Sequence, residues 1–320
     1  MAVPVRSRAL KRSSRAALLR RDRQGVASTI GTIMALLVFL AFMALIVNSY
    51  VPAWMLDNER SHMNVSIDQF GQLKGKVDSM ISQQLVTGDS SIKMYAPMTM
   101  GASGVPIFAS PTAGLLTYNP QGMGSSSLNV RFNYTGSGPG GQTFVVPVDV
   151  DGGGKVELYA PNRYYVQQWL AYENGAIILG QEDGQSIRAY PNLDISKDNH
   201  TLNVAFTQVD LIGNAQSLTG SDTVGFSLDL IYIDSQKYSI GAENGTFCLR
   251  FNTTYGNAWY GYLSQLCRTN GLVNDTDYVL TSPLPVAGST NGLTTLTLTL
   301  KNCNELYYNR AYVSMTMLTS

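Results

Sequence analysis

No charged residue occurs between Arg23 and Asp57, and within that window Val26–Val47 reads VASTIGTIMALLVFLAFMALIV. As a helix rising about 1.5 Å per residue, this run covers about 33 Å, which matches the hydrocarbon core of a bilayer. It is apolar on every face, whereas a helix on the surface of a soluble domain keeps a polar side. Residues 26–47 are therefore expected to span a membrane. Tyr50 and Trp54 follow where an interfacial aromatic belt is expected.

The charges around this run give it a direction. Residues 1–25 hold eight bases (Arg6, Arg8, Lys11, Arg12, Arg15, Arg20, Arg21 and Arg23) against one acid, Asp22. The chain carries 22 bases and 22 acids in all, so the remainder holds 14 bases and 21 acids, a net charge of −7. The positive-inside rule then places the N-terminus in the cytoplasm and everything after about residue 50 outside. A basic arm for nucleic acid is the alternative reading of residues 1–25. The apolar run that follows at once argues against it, and no nucleic-acid partner is expected. A cleaved secretory signal is a second alternative, but its apolar core is typically about 7–15 residues and ends at a small-x-small site. Here the run is longer and is followed by Asn48, Ser49, Tyr50, Val51 and Pro52.

The junction Arg20-Arg21-Asp22-Arg23-Gln24-Gly25, followed by Val26-Ala27-Ser28-Thr29-Ile30-Gly31-Thr32-Ile33, resembles the class III signal peptides of archaeal type IV pilins and archaellins. Tyr172–Ile178 resembles, more weakly, a segment of archaeal pilin-like surface proteins. The likeness covers about residues 20–85. It implies cleavage by a prepilin peptidase between Gly25 and Val26 on the cytoplasmic face. It also implies that the apolar helix is retained and can self-associate or pack with other pilin subunits. Bacterial pilins carry Glu five residues after the cut, where this chain has Ile30; archaeal members often lack it.

Helical periodicity continues past the apolar run. Leu56, Met63, Phe70 and Val77 stand seven apart, and Ile67, Leu73, Met80 and Ile81 fill the offsets. Pro52 is expected to remove one backbone hydrogen bond and kink the helix near the membrane surface, Gly71 and Gly75 to weaken it, and Thr87-Gly88-Asp89 to stop it. From about residue 90 the period changes to two. Leu128/Val130/Phe132/Tyr134, Leu202/Val204/Phe206, Val224/Phe226/Leu228/Leu230/Tyr232, Leu296/Leu298/Leu300 and Val313/Met315/Met317 all alternate with polar or small residues. That pattern gives strands with one wet face, as in antiparallel sheets. Breaks at 136–141, 151–154 and 289–292 punctuate them. Two short helices are expected at Tyr164–Leu170 and Trp259–Leu266.

The expected fold is thus α+β: a long N-terminal hydrophobic helix of transmembrane or pilin type, followed by a mainly antiparallel, β-sandwich-like domain. Residues 1–25 form a basic leader, 26–88 the span and its extension, and 89–320 the outer domain, with a candidate split near 195.

The remaining chemistry is sparse. Cys248 and Cys267 are a candidate disulfide, which would contribute about 3 kcal/mol in the chain-entropy model; Cys303 has no evident mate. Sequons begin at Asn64, Asn133, Asn199, Asn244, Asn252 and Asn274 and are candidate glycosylation sites. The chain contains neither HExxH, GxSxG nor a phosphate-binding loop, and only His62 and His200 are available for a triad. Asp149 and Asp151 beside their Gly-rich turn match no EF-hand spacing. No enzymatic activity, cofactor or metal is expected. The functional expectation is a membrane-anchored, pilin-like structural protein of the cell surface, in the extracellular filament if processed. The alternative is a non-polymerising single-pass binding or adhesion protein with an uncleaved anchor.

Overall fold

The computed structural model describes residues 10–88, 92–123, 126–137, 139–239, 245–289 and 292–318, with side chains from residue 28 onward except at 137 and 144. One helical rod opens the chain. Helix α1 (Leu10–Leu45) runs through a π-helical turn at Ile46–Tyr50 into helix α2 (Val51–Thr87). The basic leader from Leu10 onward is therefore helical and continuous with the apolar run. The π turn has a local cause. Pro52 has no N–H to return to the preceding turn, and the ladder adjusts so that the Val51 N–H bonds Ile46 O, five residues back. Gly88, at φ +74°, closes α2 with its N–H on Gln84 O, where the sequence predicts a stop.

Below the π turn the rod is bare from Ser28 onward. Val38 is 67% exposed and Phe42 58%, and Ile30, Ile33, Met34, Leu36, Leu37, Phe39, Leu40 and Leu45 are about half exposed. Above it, Met55, Met63, Phe70, Leu73, Val77, Met80 and Ile81 are buried. The predicted stripe holds except at Leu56, which faces out while Met55 is buried in its place. A straight helix drifts about 20° per heptad from a strict seven-residue line, so three heptads carry Leu56 off the buried face.

Among the described residues the strands form three sheets. The first has the order Lys93–Thr99, Thr223–Ser239, Cys303–Leu318, Thr201–Ile212, Leu193–Asp198, with one parallel pair, Thr201–Ile212 beside Cys303–Leu318. The second is fully antiparallel: Gln216–Gly220, Gly114–Pro120, Gly154–Ala160, Gln168–Glu173, Ala176–Gln181, Gly184–Ala189. The third runs Tyr278–Leu280, Thr294–Lys301, Thr246–Thr253, Ser126–Ser137, Thr143–Gly152, with Leu284–Pro285 also paired to Thr294–Lys301. Each sheet mixes strands from both sides of residue 195, so pairing links the chain across that point.

Two cores result. One joins the α2 stripe to Phe226, Leu228, Val313 and Met315 of the first sheet and to Leu158, Leu170, Tyr172 and Leu179 of the second. The other joins the third sheet to helix α3 (Gly256–Thr269) and to Leu202, Val204, Phe206 and Leu306 of the first. Along Thr201–Ile212 the even residues face the second of these cores, and then Val209 and Leu211 face the first. The first sheet thus serves both cores with opposite faces. The second sheet is also covered on both faces: Ala176 and Ile178 point to one core, Ile177 and Leu179 to the other. The expected helix at Trp259–Leu266 is the centre of α3. The one expected at Tyr164–Leu170 is absent: residues 163–165 bend, and Gln168–Glu173 pairs on both sides as an interior strand of the second sheet.

Candidate functional site

The rod meets the outer domain at Glu59. It lies 18 residues, five full turns, before Val77 and so shares its buried face, with no exposed surface. Its Oε1 accepts from Thr112 Oγ1 (2.8 Å) and the Arg163 N–H (3.0 Å), and its Oε2 accepts from the N–H groups of Tyr164 and Tyr165 (2.8 Å each). Burial alone would raise the pKa of this carboxyl. The three backbone donors and the Thr112 hydroxyl outweigh it and hold the pKa below the ordinary carboxylate value. One turn on, the Nε2 of His62 faces Thr99 O at 3.0 Å; a carbonyl only accepts, so that nitrogen carries the proton. Asn58 Nδ2 donates to Ser103 O (3.0 Å), and Gln69 bonds Thr99 through both its amide atoms. These polar ties fix α2 to the end of the first strand, to the hairpin after it and to the bend before Gln168.

A second polar cluster lies between the second and third sheets. Lys155, 4% exposed, donates to Glu157 Oε2 (2.7 Å) and Thr254 Oγ1 (3.2 Å), and Tyr255 Oη donates to the same Glu157 oxygen (2.6 Å). Behind them the buried Glu173 accepts from Thr253 Oγ1 (2.9 Å) and Trp259 Nε1 (3.0 Å). Burial pushes its pKa up to about 7, with Lys155, Thr253, Trp259 and Ser126 pulling the other way. Lys155, Glu157, Thr254 and Tyr255 open onto a pocket of about 340 Å³ that Trp169, Glu182 and Gln185 also line. The Lys155 ammonium and the Tyr255 hydroxyl are both committed to Glu157, so the arrangement neutralises charge at a sheet junction.

A third network joins the first and third sheets. The fully buried Asp210 accepts from Arg310 Nε, Gln208 Nε2 and the Gly153 N–H, and Tyr308 Oη donates to Gln208 Oε1. The sequence break at 151–154 is the corner where the chain leaves the third sheet for the second. Gly152 is required there, because a Cβ would lie 1.9 Å from Asp210 Oδ1.

The residues singled out by sequence fall as follows. Gly25 and Val26 lie inside α1, as does most of the Val26–Val47 run, which ends within the π turn. The Cys248–Cys267 bridge is not formed, and all three thiols are free. Cys248 points to the outer face of its strand, opposite Phe247 and Leu249, while Cys267, on the buried face of α3, lies in the core on the other face. Burial pushes the Cys267 thiol up to about 11 and the Cys303 thiol to about 12. Asn64, Asn199 and Asn274 are exposed, and Asn133 is half-buried. Asn252 is half-buried with its Nδ2 on Ser127 Oγ and its Oδ1 on Thr295 Oγ1. Asn244 lies outside the described residues. Asp149 and Asp151 are held by Asn129 Nδ2, and Asp149 also by Arg131 at 2.9 Å. Among the described residues no His, Cys, Asp and Glu side chains group in a way that suits a metal. Sequence reasoning missed the Glu59, Glu173 and Asp210 centres. For Glu59 the signal was present: an acid in register with the apolar stripe.

Comparisons with protein-family models, with curated proteins and with solved structures find no match. The class is therefore set by the fold and the rod. Among the described residues one helix is long and apolar enough to cross a membrane, and it lies near the N-terminus. It is compatible with a membrane anchor, and it carries a β-rich α+β domain on its far half.

Proposed function

We propose that this chain is a single-pass, membrane-anchored protein of the cell surface, built like a type IV pilin. The basic tail lies in the cytoplasm, the apolar run 26–47 lies in the bilayer and the β domain lies outside. The observation that carries this reading is the division of one continuous rod at the π turn. Above it the apolar side chains are buried in the protein's own core; below it, about ten large apolar side chains on every face have no protein cover. Leaving them in water forfeits about 1.5–3 kcal/mol per side chain relative to burial, so the bare half requires lipid or a bundle of like helices. The role is structural, through anchoring and display, and in the processed form through assembly.

The filament reading deepens the anchor reading and rests on Gly25. Cleavage after Gly25 removes eight positive charges that oppose withdrawal of the helix from the membrane. Mass spectrometry of the native protein tests it. A mature N-terminus at Val26, lost in Gly25→Val, supports pilin-type processing. An intact leader in both forms defeats that processing and leaves an uncleaved anchor.

A further inference from the structure

The chain descends along α2 as it leaves the first strand. Lys76 Nζ donates to Tyr95 O, Gln69 and His62 bond Thr99, and Asn58 bonds Ser103 O. Each step along the strand therefore meets a lower turn of the helix, nearer the bare segment. Past Ser103 the chain continues to a reversal at Val105–Ala109, closed by the Ala109 N–H on Val105 O (2.9 Å), and returns so that Thr112 reaches Glu59. The tip is thus the part of this hairpin nearest the membrane end. Four residues extend at most about 14 Å, while Asn58 stands about 12 Å above Tyr50 on the helix, so the tip can reach the level of the Tyr50–Trp54 aromatic pair.

What sits at the tip is unusual for a hairpin in water. Ile107 is fully exposed and holds φ +73°, a backbone region that a β-branched residue adopts only at a cost, and Phe108 beside it is 38% exposed. No charged residue occurs between Lys93 and Arg131. The neighbouring bend, held to Glu59 by its backbone, exposes Tyr164 and Val166 next to the exposed Arg163.

We propose that the 103–111 hairpin, with the Arg163–Val166 bend beside it, forms a foot that rests in the interfacial zone of the same bilayer that holds the apolar run 26–47. Ile107 and Phe108 enter the acyl boundary, and Arg163 meets lipid phosphate. The occupant is a lipid surface continuous with the one around the helix, so the foot rests on the anchoring proposal. It fixes the tilt of the outer domain, because Glu59 couples hairpin, bend and helix.

Spin labelling of the full chain in lipid nanodiscs tests this. Labels at Ile107→Cys, Val38→Cys and Val145→Cys are placed one at a time in a Cys248→Ser background, and collision rates with oxygen and with a water-soluble nickel chelate are compared. Val145, exposed on the third sheet, is the aqueous reference. The foot predicts a high oxygen-to-nickel ratio at 38 and an intermediate ratio at 107, well above that at 145. A ratio at 107 equal to that at 145, with 38 in lipid, overturns the foot and leaves the anchor. Shielding of 107 from both reagents, as by a second copy, also overturns it. A label at 38 outside lipid overturns the anchor, and the foot with it.

Discussion

Glu59→Gln isolates the joint between rod and domain. Glutamine keeps the shape of the side chain but converts one acceptor oxygen into an NH₂ donor. If that NH₂ takes the Oε2 position, it faces the N–H groups of Tyr164 and Tyr165; if it takes the Oε1 position, it faces the Arg163 N–H and the Thr112 hydroxyl, and only the hydroxyl can turn to accept. The amide takes the second orientation, in which the Arg163 N–H alone is orphaned and the bonds from Tyr164 and Tyr165 fall from charged to neutral strength; hydrogen bonds to a charged acceptor contribute about 1.5–3 kcal/mol each and neutral ones about 0.5–1.5 kcal/mol. The bend borders solvent, so water re-solvates part of what is orphaned, and the expected loss is about 3 kcal/mol. Denaturant unfolding of the full chain in detergent micelles measures it, and hydrogen exchange at residues 163–165 localises it. The pH dependence gives an independent check. The folded carboxyl titrates below its unfolded value of 4.5, so its contribution is complete above that value and is lost as pH falls through the folded pKa. The variant should lack this acid limb. A Gln variant within about 0.5 kcal/mol of the parent, with unchanged exchange at 163–165, would refute the argument that the carboxylate holds the joint.

Three further outcomes are expected. Gly152→Ala should cost at least about 2 kcal/mol in the same unfolding assay, because its Cβ would displace Asp210 from Gln208 and Gly153. Glu173 titrates near 7 when folded and near 4.5 when unfolded, so the folded state holds its proton longer; stability should fall as pH rises from 4.5 to 7, by at most about 3 kcal/mol, and Glu173→Gln should flatten that limb. Alkylation after denaturation without reductant should modify three thiols, and Cys248→Ser should shift stability by less than about 0.5 kcal/mol, whereas loss of a bridge to Cys267 would cost about 3 kcal/mol.

The sequence was legible where one side of an element is wet. The strands at Leu128–Tyr134, Leu202–Phe206 and Leu296–Leu300 alternate because only one of their faces is buried, and the α2 stripe shows for the same reason. It was opaque where both faces are covered. Residues 170–180 are buried almost without interruption, so neither a period of two nor of 3.6 appears. The Asn174-Gly175 hairpin turn, with φ +49° and +78°, was the remaining local signal for those two strands. Tyr164–Leu170 reads as helix because its apolar residues suit either geometry; pairing with Gly154–Ala160 and Ala176–Gln181 decides it. The Cys248–Cys267 spacing suggested a bridge, but strand alternation puts the two thiols on opposite sides of the third sheet. The polar centres depend on contacts between residues about 50 to 105 positions apart, which no local pattern encodes.

The anchoring proposal puts residues 28–47 in lipid with the β domain outside it. Alkaline carbonate extraction of native membranes, followed by solubilisation in mild detergent, decides it. An integral anchor keeps the protein in the pellet until detergent releases it. Recovery of the full chain as a monodisperse species in the carbonate supernatant, with residues 28–47 protected from exchange in the absence of any lipid or detergent, would contradict it.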